Sequence, residues 1–564
     1  MLSLLRISLI GVALVLGVCG TTVCAADPPP DQPSPETPAQ RAARMKWWRE
    51  ARFGMFIHWG SVSLKGTEIG WSRGGPRRGY GSQGNQIPVE VYDNLYKEFN
   101  PTKFNAAEWV AIAQAAGMKY MVFTSRHHDG FSMFDTRAND YKITAAESPF
   151  RRDVVKELAE AARKANLPFG VYYSQPNWQH PDAFTDRHER YLEYLRTQVR
   201  ELCTNYGPLA VFWYDGLGKS AQDYDSVALN RMIRQLQLHI LINNRSGLPE
   251  DFDTPEQHVG SFRLDRPWET CMTICRQWAW KPDDQMKSLK QCLHTLVACV
   301  GGDGNLLFNV GPMPTGEIEP RQVARLKEMG DWLAKYGESI YATRGGPFRP
   351  TKALASTRKD SAIYLHILAW NADAVTLPNI PRKIVGNKVL TGGTAEIKQT
   401  DTEITVIVPA RDRQEIDTIV KLELDGPASD IAPLRVAGGV TATASNVYRR
   451  MPDYEAEMAV DGDPHTRWAT DVGTKSAWLE VDYGKPRSFG GVRIDEAYPG
   501  RVRKFTLQYR DGDEWKTALT GTTIGRNFSQ RFAPVTAQRV RLQILEATEG
   551  PTINELQLLE TARQ

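Results

Sequence analysis

Val211-Phe212-Trp213-Tyr214-Asp215-Gly216 is a run of apolar and aromatic β-forming residues that stops at a carboxylate and a glycine. A strand this apolar is buried on both faces, as in a parallel sheet, and in a parallel barrel its C-terminal end opens on the mouth where chemistry is done. Asp215 is therefore read as a nucleophile delivered by a strand end, against the plainer role of Asp-Gly as a turn. Working outward, strand-like runs at 55–58, 120–125, 169–174 and 239–243 alternate with amphipathic stretches at 106–116, 153–165, 187–206 and 224–238. Repeated βα units predict a (β/α) TIM-like barrel or a doubly wound sheet. The first strand is followed by His58-Trp59-Gly60-Ser61 rather than a glycine-rich phosphate turn, which favours the barrel.

The barrel is predicted over residues 45–342, closing with a helix at 320–336. Beyond it the helical period is lost, and short alternating runs split by Asn, Asp, Gly and Pro predict an antiparallel β-sandwich over 343–428. A second all-β domain, a jelly-roll sandwich, is predicted over 435–561. At the other end, Arg6, an apolar run at 7–18 and small residues up to Ala26 read as a signal peptide over residues 1–26. Residues 27–44, opening Pro-rich and polar, read as a linker. The chain is thus expected to be exported, periplasmic or secreted.

Among 564 residues, 69 Lys and Arg against 66 Asp and Glu leave a net charge of +3, too small a field to recommend nucleic acid as a partner. No later stretch is long and apolar enough to span a membrane. Outside the leader the cysteines are Cys203, Cys271, Cys275, Cys292 and Cys299, an odd number better read as buried thiols than as a disulfide framework. Nothing in the sequence fixes an oligomeric state.

If the barrel forms, its mouth gathers His58, His127-His128-Asp129, Tyr172-Tyr173, Trp213 with Asp215, and Asn243-Asn244-Arg245. Metal-dependent hydrolysis fits poorly, because His58 stands alone where two histidines one residue apart would face inward together. Glycoside hydrolysis fits better: it needs two carboxylates, polar groups for hydroxyls and aromatics for a sugar face. Glu256, Glu269 and Glu68 are the acids from which the second carboxylate is drawn.

The motifs Phe53-Gly54-Met55-Phe56-Ile57-His58-Trp59-Gly60, Arg126-His127-His128-Asp129-Gly130-Phe131, Tyr172-Tyr173-Ser174, Trp213-Tyr214-Asp215-Gly216 and Gly304-Asn305-Leu306-Leu307-Phe308-Asn309-Val310-Gly311-Pro312 together resemble glycoside hydrolase family 29, the α-L-fucosidases. The resemblance implies retaining cleavage of terminal α-L-fucosyl residues without a cofactor, acting on fucosylated glycans. It implies Asp215 as nucleophile and His58, His127, His128, Tyr172, Trp213 and Arg245 as substrate-binding residues. Glu256, at about the family's distance beyond Asp215, is chosen as acid/base. Glu269, Glu68 and Trp71 are kept as pocket residues, because Glu68-Ile69-Gly70-Trp71 replaces the Glu-Trp pair of the family. Arg73, Arg77 and Arg78 in the same loop are candidates for reading an anionic group, such as a sulfate, beyond the terminal fucose. The alternatives are a fucose-binding, lectin-like protein that has lost turnover, and the same mechanism on an α-L-galactoside.

Ala459-Val460-Asp461-Gly462-Asp463-Pro464-His465-Thr466-Arg467-Trp468, Trp478-Leu479-Glu480-Val481-Asp482-Tyr483-Gly484 and Ile553-Asn554-Glu555-Leu556 resemble a discoidin-type (coagulation factor 5/8 type C) domain. Bacterial members often bind carbohydrate, and the resemblance implies a structural calcium to which Asp461, Asp463 and Glu555 could lend oxygens.

Overall fold

The computed structural model describes residues 36–434, 436, 440–451, 454–462 and 466–560. The leader, the start of the linker and Asp463 lie outside the described residues. A helix, Pro38–Ala51, begins inside the stretch read as linker. Proline at the first helical position loses no hydrogen bond, and Ala39, Ala42 and Ala43 favour the helix that follows.

Seven parallel strands carry the site: β1 Phe53–Ile57, β2 Met121–Arg126, β3 Phe169–Ser174, β4 Val211–Asp215, β5 Leu241–Ile242, β6 Glu269–Thr273 and β7 Asn305–Val310. Their order is β5-β4-β3-β2-β1-β7-β6. The gap between β5 and β6 is spanned by an irregular stave in which Phe252 pairs with Asn243, Asp253 with Trp268, and Glu256 with Cys271. Pro255 cannot donate to a ladder, so this stave never becomes a regular strand. With it in place the sheet curls into a TIM-like barrel.

Helices Ala106–Ala115, Val154–Lys164, His188–Asn205, Ser226–Leu236, Leu289–Gly301 and Pro320–Tyr336 pack around it. Asn105 and Asp153 cap the first two through backbone amides of the first turn. Ser288 and Gln291 form a reciprocal capping box on Leu289–Gly301, a helix the periodicity did not single out. The five cysteines named above are all free and buried.

At the end of the barrel away from the strand C-termini, Asp303 binds Arg52 at 2.8 Å and Arg49 at 3.2 Å, and accepts from Arg344 and from the Gly345 amide. Burial pushes Asp303 up, but the Arg52 and Arg344 charges more than offset it and hold it at about 2. Arg344 and Gly345 open the next sheet, so this cluster joins barrel to sandwich.

The sandwich pairs a five-stranded antiparallel sheet with a three-stranded one over a core that includes Ile363, Leu365, Val406 and Val420. The C-terminal domain is a further antiparallel sheet around Trp468, Leu479, Phe505 and Leu542. Its long strand, Ala477–Glu496, is broken by irregularities at Asp482/Arg487 and Phe489/Gly491. Among the described residues no helix is long and apolar enough to cross a membrane.

Candidate active site

Asp215 ends β4 and is 7% exposed. Tyr172, on β3, donates its hydroxyl to Asp215 Oδ2 at 2.9 Å, and Arg245 Nη1 donates to Oδ1 at 3.3 Å. The same Arg245 nitrogen lies 2.8 Å from Glu256 Oε2. Sharing one nitrogen keeps the bonded oxygens of the two carboxylates no more than about 6 Å apart, short of the separation of an inverting pair. Glu256 owes this position to the irregular stave, and its side chain remains 40% exposed. Burial pulls the Arg245 guanidinium down, but the Glu256 and Asp215 carboxylates more than offset it. The guanidinium also lies 4.7 Å over the Trp213 ring, which fixes its plane.

The histidines occupy the opposite wall. His58 Nδ1 is 2.7 Å from Asn309 Oδ1, while Asn309 Nδ2 donates to the Trp278 carbonyl, so the network assigns the proton to Nδ1 and leaves Nε2 as an acceptor. His128 repeats the logic: Ser174 Oγ gives its proton to the Pro176 carbonyl and therefore accepts from His128 Nδ1 at 2.6 Å. Its Nε2 faces Asp215 Oδ2 at 3.6 Å, an acceptor against an acceptor. Such a gap is completed by a donor such as a sugar hydroxyl. Burial, reinforced by the Arg245 charge, lowers both His58 and His128 to about 3, so both imidazoles are neutral. His127 stacks on Tyr172 with rings 5.5 Å apart, and its buried Nδ1 has no partner among the described residues.

The loop after β1 completes the wall. Glu68 accepts from the backbone amides of Ile69, Trp278 and Ala279 at 2.9–3.1 Å. It acts as a clamp, with both oxygens already bonded, and sets the Trp278 ring 4.7 Å from His58. Asp129 ties the same loop to the histidines: Tyr92 donates to Asp129 and accepts from the Gly70 amide. Gly70 has φ +66°, and a Cβ there would lie 2.6 Å from His127 Nδ1, so the close approach needs glycine. Trp71 packs edge-on against His128 and is 39% exposed.

Two expectations are corrected. Glu269 is not at the mouth: it starts β6, at the opposite end of that strand, and is fully buried. Its carboxylate accepts from Trp48 Nε1 and Trp213 Nε1, both at 3.1 Å, and from the Tyr120 hydroxyl. Arg73 is not free to read an anion, because Asp93 holds it through two bonds of 2.6 and 2.7 Å.

Sequence reasoning did not pick out Trp278, Asn309, Ser174 or Tyr80. Tyr80, at the tip of a hairpin formed by Gly75–Arg77 and Ser82–Gly84, donates to the carbonyl of Gly216 beside Asp215. Asn309, an amide near the C-terminal end of an otherwise apolar run, is the signal the sequence offers. In the C-terminal domain Glu555 accepts from the Gly462 amide and Asp461 from Thr466, bringing two carboxylates to one turn. No group of three or more His, Cys, Asp or Glu suited to a metal occurs among the described residues.

A family model described as alpha-L-fucosidase matches residues 24–338, and one described as F5/8 type C domain matches residues 441–556. The plasma alpha-L-fucosidase of Homo sapiens is 30% identical over 372 residues, 60% of this chain and 79% of that protein. The solved structure of alpha-L-fucosidase isoenzyme 1 from Paenibacillus thiaminolyticus has a TM-score of 0.62 at 33% identity, covering 68% of this chain and 99% of its own. That of the alpha-L-fucosidase from Vibrio sp. strain EJY3, at 21% identity, shares the fold over 91% of this chain and 97% of its own, with a TM-score of 0.64.

Proposed function

The chain belongs to the α-L-fucosidase family and is a glycoside hydrolase, and from that premise we propose a retaining double displacement in which Asp215 is the nucleophile and Glu256 the acid/base. Asp215 attacks the anomeric carbon of a terminal fucosyl residue while Glu256 protonates the departing oxygen. Water then attacks the fucosyl ester, with Glu256 taking its proton. The observation that carries this reading is the single Arg245 nitrogen bonded to both carboxylates. Once Asp215 is esterified, that charge is left to Glu256 at the step where it must be ionised to act as base.

The neutral Nε2 atoms of His58 and His128 accept from sugar hydroxyls, and Trp213 and Tyr172 floor the pocket. Fucosylated glycans, sulfated ones among them, are the substrate class. Azide should restore turnover to Asp215→Gly as a fucosyl azide of inverted configuration, and Glu256→Gln should lose about 10²–10⁴-fold on substrates with poor leaving groups. Failure of azide to rescue the glycine variant would remove Asp215 from the role.

Export is part of this reading, carried by the leader-like residues 1–26, and N-terminal sequencing of the native protein checks it. So is a calcium held near Asp461 and Glu555; its test is whether chelation lowers the melting temperature of the C-terminal domain.

A further inference from the structure

The loop after β1 leaves a group of hydrogen-bond donors at the rim that the catalytic reading does not use. Arg77 places its guanidinium 4.7 Å over the Trp71 ring and 5.2 Å over the Trp178 ring. Its Nη2 donates to the Trp71 carbonyl, while Nε is buried without a partner among the described residues. No carboxylate pairs with it among the described residues, in contrast to Arg73 and Arg245. Trp178, 2% exposed, likewise has an indole Nε1 with no acceptor among the described residues. Unfilled donors on a half-buried cation set over two aromatic rings call for an acceptor-rich anion.

The position narrows what carries that anion. Trp71 and Trp178 both pack against His128, at 5.6 and 5.0 Å between ring centroids. The hairpin bearing Arg77 is pinned by Tyr80 over the end of β4. Arg77 therefore stands on the β2–β4 side of the mouth, whereas Glu256, which serves the leaving group, stands on the β6 side. A group reaching Arg77 is carried on the fucose ring itself, at a position beside the hydroxyl that His128 accepts from.

We propose that Arg77, with Trp178 Nε1, is a specificity site for an oxyanion ester on the fucose ring, with a sulfate half-ester as the matching chemistry. The guanidinium of Arg77, set over Trp71 and Trp178, offers its remaining N–H groups to sulfate oxygens, and the indole N–H supplies a further donor. This rests on the fucosidase reading and names the class of fucoside that the site selects.

The test compares kcat/KM of the full-length enzyme on an aryl α-L-fucoside, its ring 2-, 3- and 4-O-sulfates, and a fucoside whose aglycone sugar bears the sulfate. The expected result is that one ring sulfate is favoured relative to the neutral fucoside, and that Arg77→Met lowers this ratio about tenfold or more. Arg77→Lys, which keeps the charge but not the fork, should retain part of the ratio and guards against a folding defect in the methionine variant. An unchanged ratio in Arg77→Met, or an Arg77 effect confined to the aglycone sulfate, overturns the proposal. Failure of the wild type on every fucoside would instead strike the hydrolase reading itself.

Discussion

The two ends of the barrel use the same residue types in opposite ways. At the mouth, Asp215 and Glu256 share Arg245, and the buried His127 Nδ1 beside them has no partner among the described residues. At the floor, Glu269 is bonded by three side-chain donors and Asp303 by arginines and an amide, with every direction closed by protein. Burial alone does not separate them, and neither does a displaced pKa: burial raises Glu269 to about 7, which would mark it as a general acid. What separates them is spare hydrogen-bonding capacity facing an opening. The two carboxylates at the mouth keep bonding capacity toward the opening, and Glu269 and Asp303 do not.

The sharpest way to break this contrast is to remove one charge from each end. Asp215→Asn should lower kcat by at least about 10³-fold, some 4 kcal/mol of transition-state stabilisation, while leaving the melting temperature unchanged or raised. Asp303→Asn should do the reverse, costing about 3–5 kcal/mol of stability by leaving buried Arg52 without its counter-charge, with turnover per folded molecule retained. Thermal melts alongside active-site-normalised kinetics read both. Loss of folding in the first variant, or loss of chemistry alone in the second, would mean that the two ends are not separate.

Much of this was legible in the residues. The strand ending at Asp215 is uniformly apolar, so its polar terminus stands out, and His58 is marked in the same way by the run before it. Glu269 was misplaced for a physical reason. The β-forming run Glu269-Thr270-Cys271-Met272-Thr273 has its carboxylate at the start, and a strand's first residue points to the floor. That strand was not recognised, because the stave before it is irregular and polar. Glu256 is chosen by its distance from Asp215, but its contact with Arg245 depends on Phe252, Asp253 and Glu256 pairing with neighbouring strands. No local pattern announces those bridges. Tyr80 and Trp278 are likewise tertiary facts, set by where a hairpin lands and by which amides Glu68 captures.

The smaller prediction concerns the floor alone and asks which of two forces governs Glu269. Burial favours its neutral form, while the hydrogen bonds from Tyr120, Trp48 and Trp213 favour the carboxylate; burial prevails, at about 7 against an ordinary 4.5. Between those values the folded protein holds a proton that the unfolded chain has released. Stability from this group is therefore fully present below pH 4.5 and is lost as pH rises through about 7, at up to about 1.4 kcal/mol per pH unit and roughly 3 kcal/mol in all. Glu269→Gln cannot titrate, so its stability relative to wild type should climb by that amount between pH 4.5 and 7.5 in paired denaturant titrations. A flat difference would show that the three donors prevail and hold a carboxylate at the floor. The pH profile of kcat/KM should carry no inflection that this substitution removes, because Glu269 touches Trp213 and not the reacting atoms.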